Sequence, residues 1–283
     1  MSNILVTGGA GFVGTNLIKR LLRDGHNVVS IDNYCTGLKD NEQEGCKYYD
    51  FNIVKTTNFE AFLEDQDVIF HLAALARIQP SIKNPIKALQ NNIVGTMNIL
   101  EHARNNNIQI IYAGSSSKHH NLYGSPYAFS KWNGEELCKL YSNVYDVNSV
   151  ICRFYNVYGP HQIEDGDYST VIGIFERQHR NKENLTITGD GEQRRDFTHV
   201  DDIVDGLISC VGKDFKGDEF ELGRGKNFSI NEVADIFGGE KKYIPARPGE
   251  YPTTLCDYSK AHGELDWTPH RNLEDYIKGV IND

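Results

Sequence analysis

The stretch Thr7–Gly14, TGGAGFVG, decides how this 283-residue chain is read. Ahead of it, NILVTG is a short apolar run with the character of a strand. Behind it, Gly14 to Asp24 carries apolar residues at helical spacing. Gly9, Gly11 and Gly14 fit G-x-G-x-x-G, and Gly8, Gly11 and Gly14 fit G-x-x-G-x-x-G. Glycines permit a tight turn and let a pyrophosphate approach the backbone. The helix start supplies free N–H groups and a partial positive charge. Gly8, Gly11, Phe12, Val13 and Gly14 are therefore expected to hold the diphosphate of a dinucleotide. The next strand, NVVSID, ends at Asp32, with Asn33 beside it. A carboxylate there accepts hydrogen bonds from an adenosine ribose and repels a 2′-phosphate, which favours NAD over NADP.

Further along, the strands DVIFHLAA, IQIIYAGS and NSVICRF alternate with helical stretches near 85–104 and after Tyr127. This alternation predicts an α/β fold with a parallel sheet and right-handed crossovers. VDDIVDGLISCV reads as one more helix of that domain. From Gly159 the pattern is less regular and richer in Gly, Pro and Arg. The expected division is a nucleotide-binding domain of residues 1–158 plus about 196–222. A smaller lobe would take about 159–195 plus 223–283. No apolar run reaches the roughly 18 residues that span a membrane. MSNILVTGG lacks the basic and apolar regions of a signal peptide, so a cytoplasmic protein is expected. The net charge of −10 disfavours nucleic-acid binding, and the six scattered cysteines suggest reduced thiols.

Tyr127 and Lys131 stand four positions apart on an expected helix and share a face. A nearby ammonium stabilises a phenolate, so Tyr127 becomes a usable base. Ser115, at the end of a strand, offers a hydroxyl to the same substrate oxygen. His119 and His120 are adjacent, point different ways and make a poor metal pair, so no metal is expected. They read as surface turn residues.

TGGAGFVG, DNYCTG, HLAA, NIVGT, SSS, YAFSK, RFYNVYGP, GDGEQRRDF and RPGE occur in the order found in one family. The chain resembles the extended short-chain dehydrogenase/reductases, in their nucleotide-sugar epimerase/dehydratase group, over nearly its whole length. The resemblance implies a Rossmann-type doubly wound parallel sheet with a smaller, mostly C-terminal substrate lobe. It implies NAD as cofactor and a nucleoside-diphosphate sugar as substrate. It places Leu72, Ala73, Ala74, Asn92 and Tyr155 beside the cofactor and Asn52 and Ile53 near its adenine. It places Ser81, Ser116 and Asn156 near the substrate, and Arg195 and Arg247 on its diphosphate. Thr254 matches a position beside C2 of the sugar, where a threonine leaves room for N-acetylhexosamines as well as hexoses. The stretches 86–104 and 127–143 would build the four-helix bundle of a homodimer.

Within that group, 4,6-dehydratases carry an Asp-Glu pair where this chain has Ser116 and Ser117. UDP-glucuronate decarboxylases carry a glutamate where Ser117 stands. Both readings are weakened, and 4-epimerisation needs only Ser, Tyr, Lys and a retained NAD. A one-way dehydrogenase or a 4-keto reductase is the alternative. A non-catalytic NAD-binding sensor is a further one, disfavoured by the intact Tyr-Lys pair. The segment from Lys118 to Ser125 is shorter than in most members and reads as a trimmed lid over a more open sugar pocket.

Overall fold

Seven strands form one parallel sheet: β1 (Asn3–Thr7), β2 (Asn27–Asp32), β3 (Lys47–Asp50), β4 (Val68–His71), β5 (Gln109–Ser115), β6 (Ser149–Phe154) and β7 (Lys216–Leu222). They appear in a computed structural model that describes residues 1–55, 59 and 66–282. The spatial order is 7-6-5-4-1-2-3. The central strands are near-continuous apolar runs because helices cover both of their faces. On one face, Leu17, Ile18 and Leu21 of α1 (Phe12–Arg23) share a core with Ile203, Val204 and Leu207. On the other, the core includes Ile99, Leu100 and Ala103. The strand order reverses between β1 and β4, and ligands bind at such a switch point, beyond the carboxyl ends of the strands.

The helices on the second face begin with α2 (Ile78–Lys83), α3 (Pro85–Leu89), α4 (Gly95–Asn106) and α5 (Pro126–Tyr145). The helix expected over 85–104 is broken by a π-helical turn at Gln90–Val94. Asn92 explains the break. It is buried, and its amide group bonds both Leu75 N and Leu75 O. A polar side chain turned inward disrupts the regular ladder, as π-bulges commonly do near functional sites.

β3 and β7 are not among the expected strands. KYYD and KGDEFEL are edge strands with exposed polar faces, so no apolar run marks them. In β7 the alternation is still visible. Phe220 and Leu222 enter the core, while Glu219 and Glu221 ion-pair on the opposite side.

Beyond the sheet, α6 (Val171–Arg180), α7 (Val200–Ile208), α8 (Ile230–Phe237), α9 (Ser259–Leu265) and α10 (Leu273–Asn282) complete the fold. Ile203, Val204 and Leu207 of α7 join α1 on the sheet. Phe175 of α6, Val233 and Phe237 of α8 and Ile277 of α10 form a separate lobe core. Within residues 259–267, Ala261, Leu265 and Trp267 pack on the sheet core. The Trp267 indole donates to Asp202 O at 2.8 Å, which ties α9 to α7.

Candidate active site

At the carboxyl end of β1 the chain turns through Gly8, whose φ is +77°. A Cβ on Gly8 would lie 2.9 Å from the backbone of Ala73, and one on Gly14 would strike Gly8 O. Only glycine allows this approach, so the turn is a bare backbone cradle at the start of α1. Asp32 braces it: Oδ2 accepts from Ala10 N at 3.0 Å and Oδ1 from Tyr34 N at 2.8 Å. Burial raises the Asp32 carboxyl above its ordinary value, and the backbone donors work against that shift. The cradle, the helix start and the carboxylate at the end of β2 fit a dinucleotide.

From the cradle a cleft of about 750 Å³ runs past Ser115 and Tyr127 to Arg195 and Arg247. It is lined by Gly8, Gly11, Phe12, Val13, Gly14, Asp32, Asn33, Ile53, Leu72, Ala73 and Ala74 at one end. Ser115, Ser116, Tyr127, Lys131, Asn156, Arg195, Arg247 and Thr254 line the rest. Four expected site residues lie behind the wall. Asn52 accepts from Val54 N in a local turn. Asn92 holds Leu75 and donates to Ser130 Oγ. Tyr155 turns away and donates to Glu221 at 3.0 Å. Ser81 accepts from Tyr127 N at 3.1 Å and donates to Ile78 O at 2.7 Å, so it positions the first turn of α5.

At the centre, the Tyr127 hydroxyl donates to Ser115 Oγ at 3.2 Å. Ser117 contacts the same oxygen through its hydroxyl, at 2.9 Å, and its N–H, at 3.2 Å. Burial raises the Tyr127 phenol; the Ser115 hydrogen bond and then the Arg77 charge partly offset this. The sequence reading assigned that charge to Lys131, whereas the cation that acts on Tyr127 is Arg77. The Lys131 ammonium sits 4.1 Å from the centre of the Tyr112 ring. Burial lowers its pKa to about 8, against the pull of Glu135. His71 is kept neutral, its pKa lowered to about 3 by burial and then by Lys131. It bridges Thr7 and Thr96 at 2.7 and 3.0 Å.

These values set a pH profile. If turnover requires the phenolate of Tyr127 with the ammonium of Lys131, it tracks the product of the two populations. Below about 8 the lysine is charged and phenolate grows with pH. Above it, the gain in phenolate is cancelled by the loss of ammonium. The profile of kcat/KM should therefore climb to a plateau that begins near pH 8. In Lys131→Met the break near 8 should vanish. A wild-type profile that falls from pH 7 upward would remove Tyr127 as the base.

A buried ion cluster supports Ser115 from below. Glu135 is fully buried; Oε1 accepts from Ser115 N at 3.2 Å, and Oε2 accepts from Arg153 at 2.8 and 3.0 Å. Arg153 also meets Glu219 at 2.7 Å and Glu221 at 2.6 Å. The segment after the serines docks on this cluster. Lys118 pairs with Glu219 at 2.8 Å and His119 with Glu221 at 2.9 Å. His120 stacks on Tyr251, with ring centres 3.9 Å apart at 15°. The two histidines do point different ways, but they are anchors rather than free turn residues. The Glu221 carboxylate on β7 holds His119, and the facing Tyr251 ring holds His120.

At the far end, Asn156 has a φ of 28°, a strained value at a ligand wall. Its amide donates to Asp196 O at 2.8 Å and to Thr254 Oγ1 at 3.1 Å. Thr254 Oγ1 also accepts from Asp196 N at 3.0 Å, so its hydroxyl is already engaged. Arg195 donates to Arg194 O at 2.9 Å and stands 4.0 Å from Glu250.

Arg77, Ser117 and Tyr251 line the cleft and were missed. Arg77 did carry a signal: it is the one cation in an apolar segment that directly follows a parallel strand. Tyr251 had none, because its partner His120 is remote in sequence.

The model of the NAD dependent epimerase/dehydratase family matches residues 4–223. UDP-glucose 4-epimerase of Mycolicibacterium smegmatis is 32% identical over 98% of this chain and 96% of its own length. UDP-glucuronic acid decarboxylase 1 of Xenopus tropicalis is 30% identical over 99% of this chain and 71% of its own. The crystal structure of UDP-glucuronic acid 4-epimerase from Bacillus cereus, with UDP-glucuronic acid and NAD, superposes with a TM-score of 0.90. It is 29% identical and covers 99% of this chain and 98% of its own. Among the described residues no helix is long and apolar enough to cross a membrane.

Proposed function

This chain belongs to the NAD dependent epimerase/dehydratase family, and we propose that within it the chain is a nucleotide-sugar 4-epimerase. NAD is its cofactor and, when bound, supplies the reversible acceptor for the hydrogen at C4 of the sugar. One observation carries the choice of reaction. Ser115, Ser116 and Ser117 meet the cleft with Tyr127, and no acid stands in that serine segment. The carboxylate whose charge acts on Tyr127 is Glu135, and it is buried and tied to Arg153. A dehydratase or decarboxylase would need a free acid at this point, because its extra bond-breaking step requires a proton donor or a partner for the leaving group.

The protein's part is then positional. Tyr127 takes the proton from the 4-hydroxyl and returns it. Ser115, fixed by Ser117 and Glu135, holds the same oxygen. Arg195 and Arg247 grip the substrate diphosphate and leave the sugar free to present either face. Guanidinium forks bind phosphate oxygens in pairs. Arg195→Ala and Arg247→Ala should each raise the substrate KM roughly 10- to 100-fold, with a smaller change in kcat. An unchanged KM in initial-rate assays removes that residue from the clamp. The same assays, run with UDP-hexoses and UDP-N-acetylhexosamines, test whether Thr254 leaves room at C2.

A homodimer is part of the proposal. Ile86 on α3 and Leu140 on α5 are exposed apolar residues on the two stretches expected to pair. Light scattering on the purified protein tests it.

A further inference from the structure

We propose that Arg77 selects a sugar ring that carries a carboxylate next to the reacting carbon, as in a nucleotide-linked uronic acid. This rests on the 4-epimerase reading and narrows its substrate class.

Arg77 lines the cleft where the chain passes from β4 to α2, and its charge acts on Tyr127. Its Nε donates to Tyr168 O at 3.2 Å, which fixes the head against the lobe. Among the described residues, no carboxylate lies within ion-pairing distance of it and no acceptor meets its two terminal nitrogens. The carboxylates that line the cleft are engaged elsewhere. Asp167, next to Tyr168, pairs with Lys83 at 2.9 Å. Glu250 faces Arg195. Asp32 holds backbone N–H groups at the cradle.

Charge counting then points to the sugar. A nucleoside diphosphate brings its negative charges to Arg195 and Arg247. Arg77 is left as a third cleft arginine, the one whose charge acts on Tyr127. Burial lowers its pKa, and Tyr127 is the group whose charge acts on it. A half-buried guanidinium with free donors is costly beside a neutral sugar and is satisfied by a planar anion. Tyr127 addresses the 4-hydroxyl, so an anion within reach of Arg77 must sit on a carbon flanking C4. A carboxylate attached at C5 meets that requirement, and its two oxygens match the two free nitrogens.

The test compares UDP-glucuronate with UDP-glucose on the NAD-loaded protein. Binding is followed by calorimetry and interconversion by product separation. Wild type should favour the acidic sugar in both readouts. In Arg77→Met the preference ratio should fall roughly 10- to 100-fold, and Arg77→Lys should restore part of it. Equal affinity of wild type for the two sugars overturns the proposal. So does an Arg77→Met variant that loses both sugars in proportion, which would make Arg77 a support for Tyr127 alone. The two readouts separate the claims. Arg77-dependent preference in binding without interconversion would reject the epimerase reading and keep this one, and interconversion without preference would do the reverse.

Discussion

Tyr127→Phe should abolish most turnover, with a loss of roughly 10²- to 10⁴-fold in kcat, while the protein stays folded and keeps its NAD. The substitution removes one oxygen. That oxygen bonds Ser115 at 3.2 Å and, among the described residues, makes no other hydrogen bond. The expected stability change is about 1 kcal/mol, the net worth of a single hydrogen bond. The ring remains in place because Ser81 holds the Tyr127 backbone and Ser125 caps α5. Turnover by product separation and folding by thermal melting give the two measurements. A Phe variant with more than a tenth of wild-type activity would show that another group moves the proton.

The second large effect is on stability. Arg153→Met should destabilise the protein by about 3–5 kcal/mol, the usual result of breaking a buried ion pair from one side. Arg153 is the shared partner of Glu135, Glu219 and Glu221. Without it, the one cation left within ion-pairing distance of the fully buried Glu135, among the described residues, is Lys118, at 3.8 Å. Domains are typically stable by about 5–15 kcal/mol, so the loss is a large fraction. Glu135 also receives Ser115 N, so kcat should fall with stability. Denaturant unfolding reads the first and initial rates the second. A midpoint that moves by less than the equivalent of about 1 kcal/mol would show that Lys118 and Lys139, both paired with Glu219, hold the glutamates unaided.

The two predictions divide along the line between what the sequence disclosed and what it hid. The Gly8–Gly14 turn and the Tyr127–Lys131 pair were legible because their chemistry is local. A glycine's freedom and a four-residue helical spacing hold whatever the rest of the chain does. The parallel sheet was legible because buried strands are continuous apolar runs. Ser81, Asn92 and Tyr155 hydrogen-bond within the protein, to Ile78, Leu75 and Glu221. A motif gives a neighbourhood, but packing decides which way each side chain turns, and all three turned into the scaffold. The ion cluster was hidden for a different reason. Glu135 and Arg153 meet Glu219 and Glu221 across β7, an edge strand too polar to be recognised. Lys118 and His119, read as part of a trimmed lid, acquire partners only once that strand is in place.

The most direct test is the fate of a nucleotide sugar incubated with the wild-type protein and its own NAD. The nucleotide sugars are separated over time while NADH is followed by absorbance. The account predicts the 4-epimer, approaching a fixed ratio from either side, with no stoichiometric build-up of NADH and no change in substrate mass. A product that has lost water or carbon dioxide, or NADH formed one for one with substrate consumed, would contradict it.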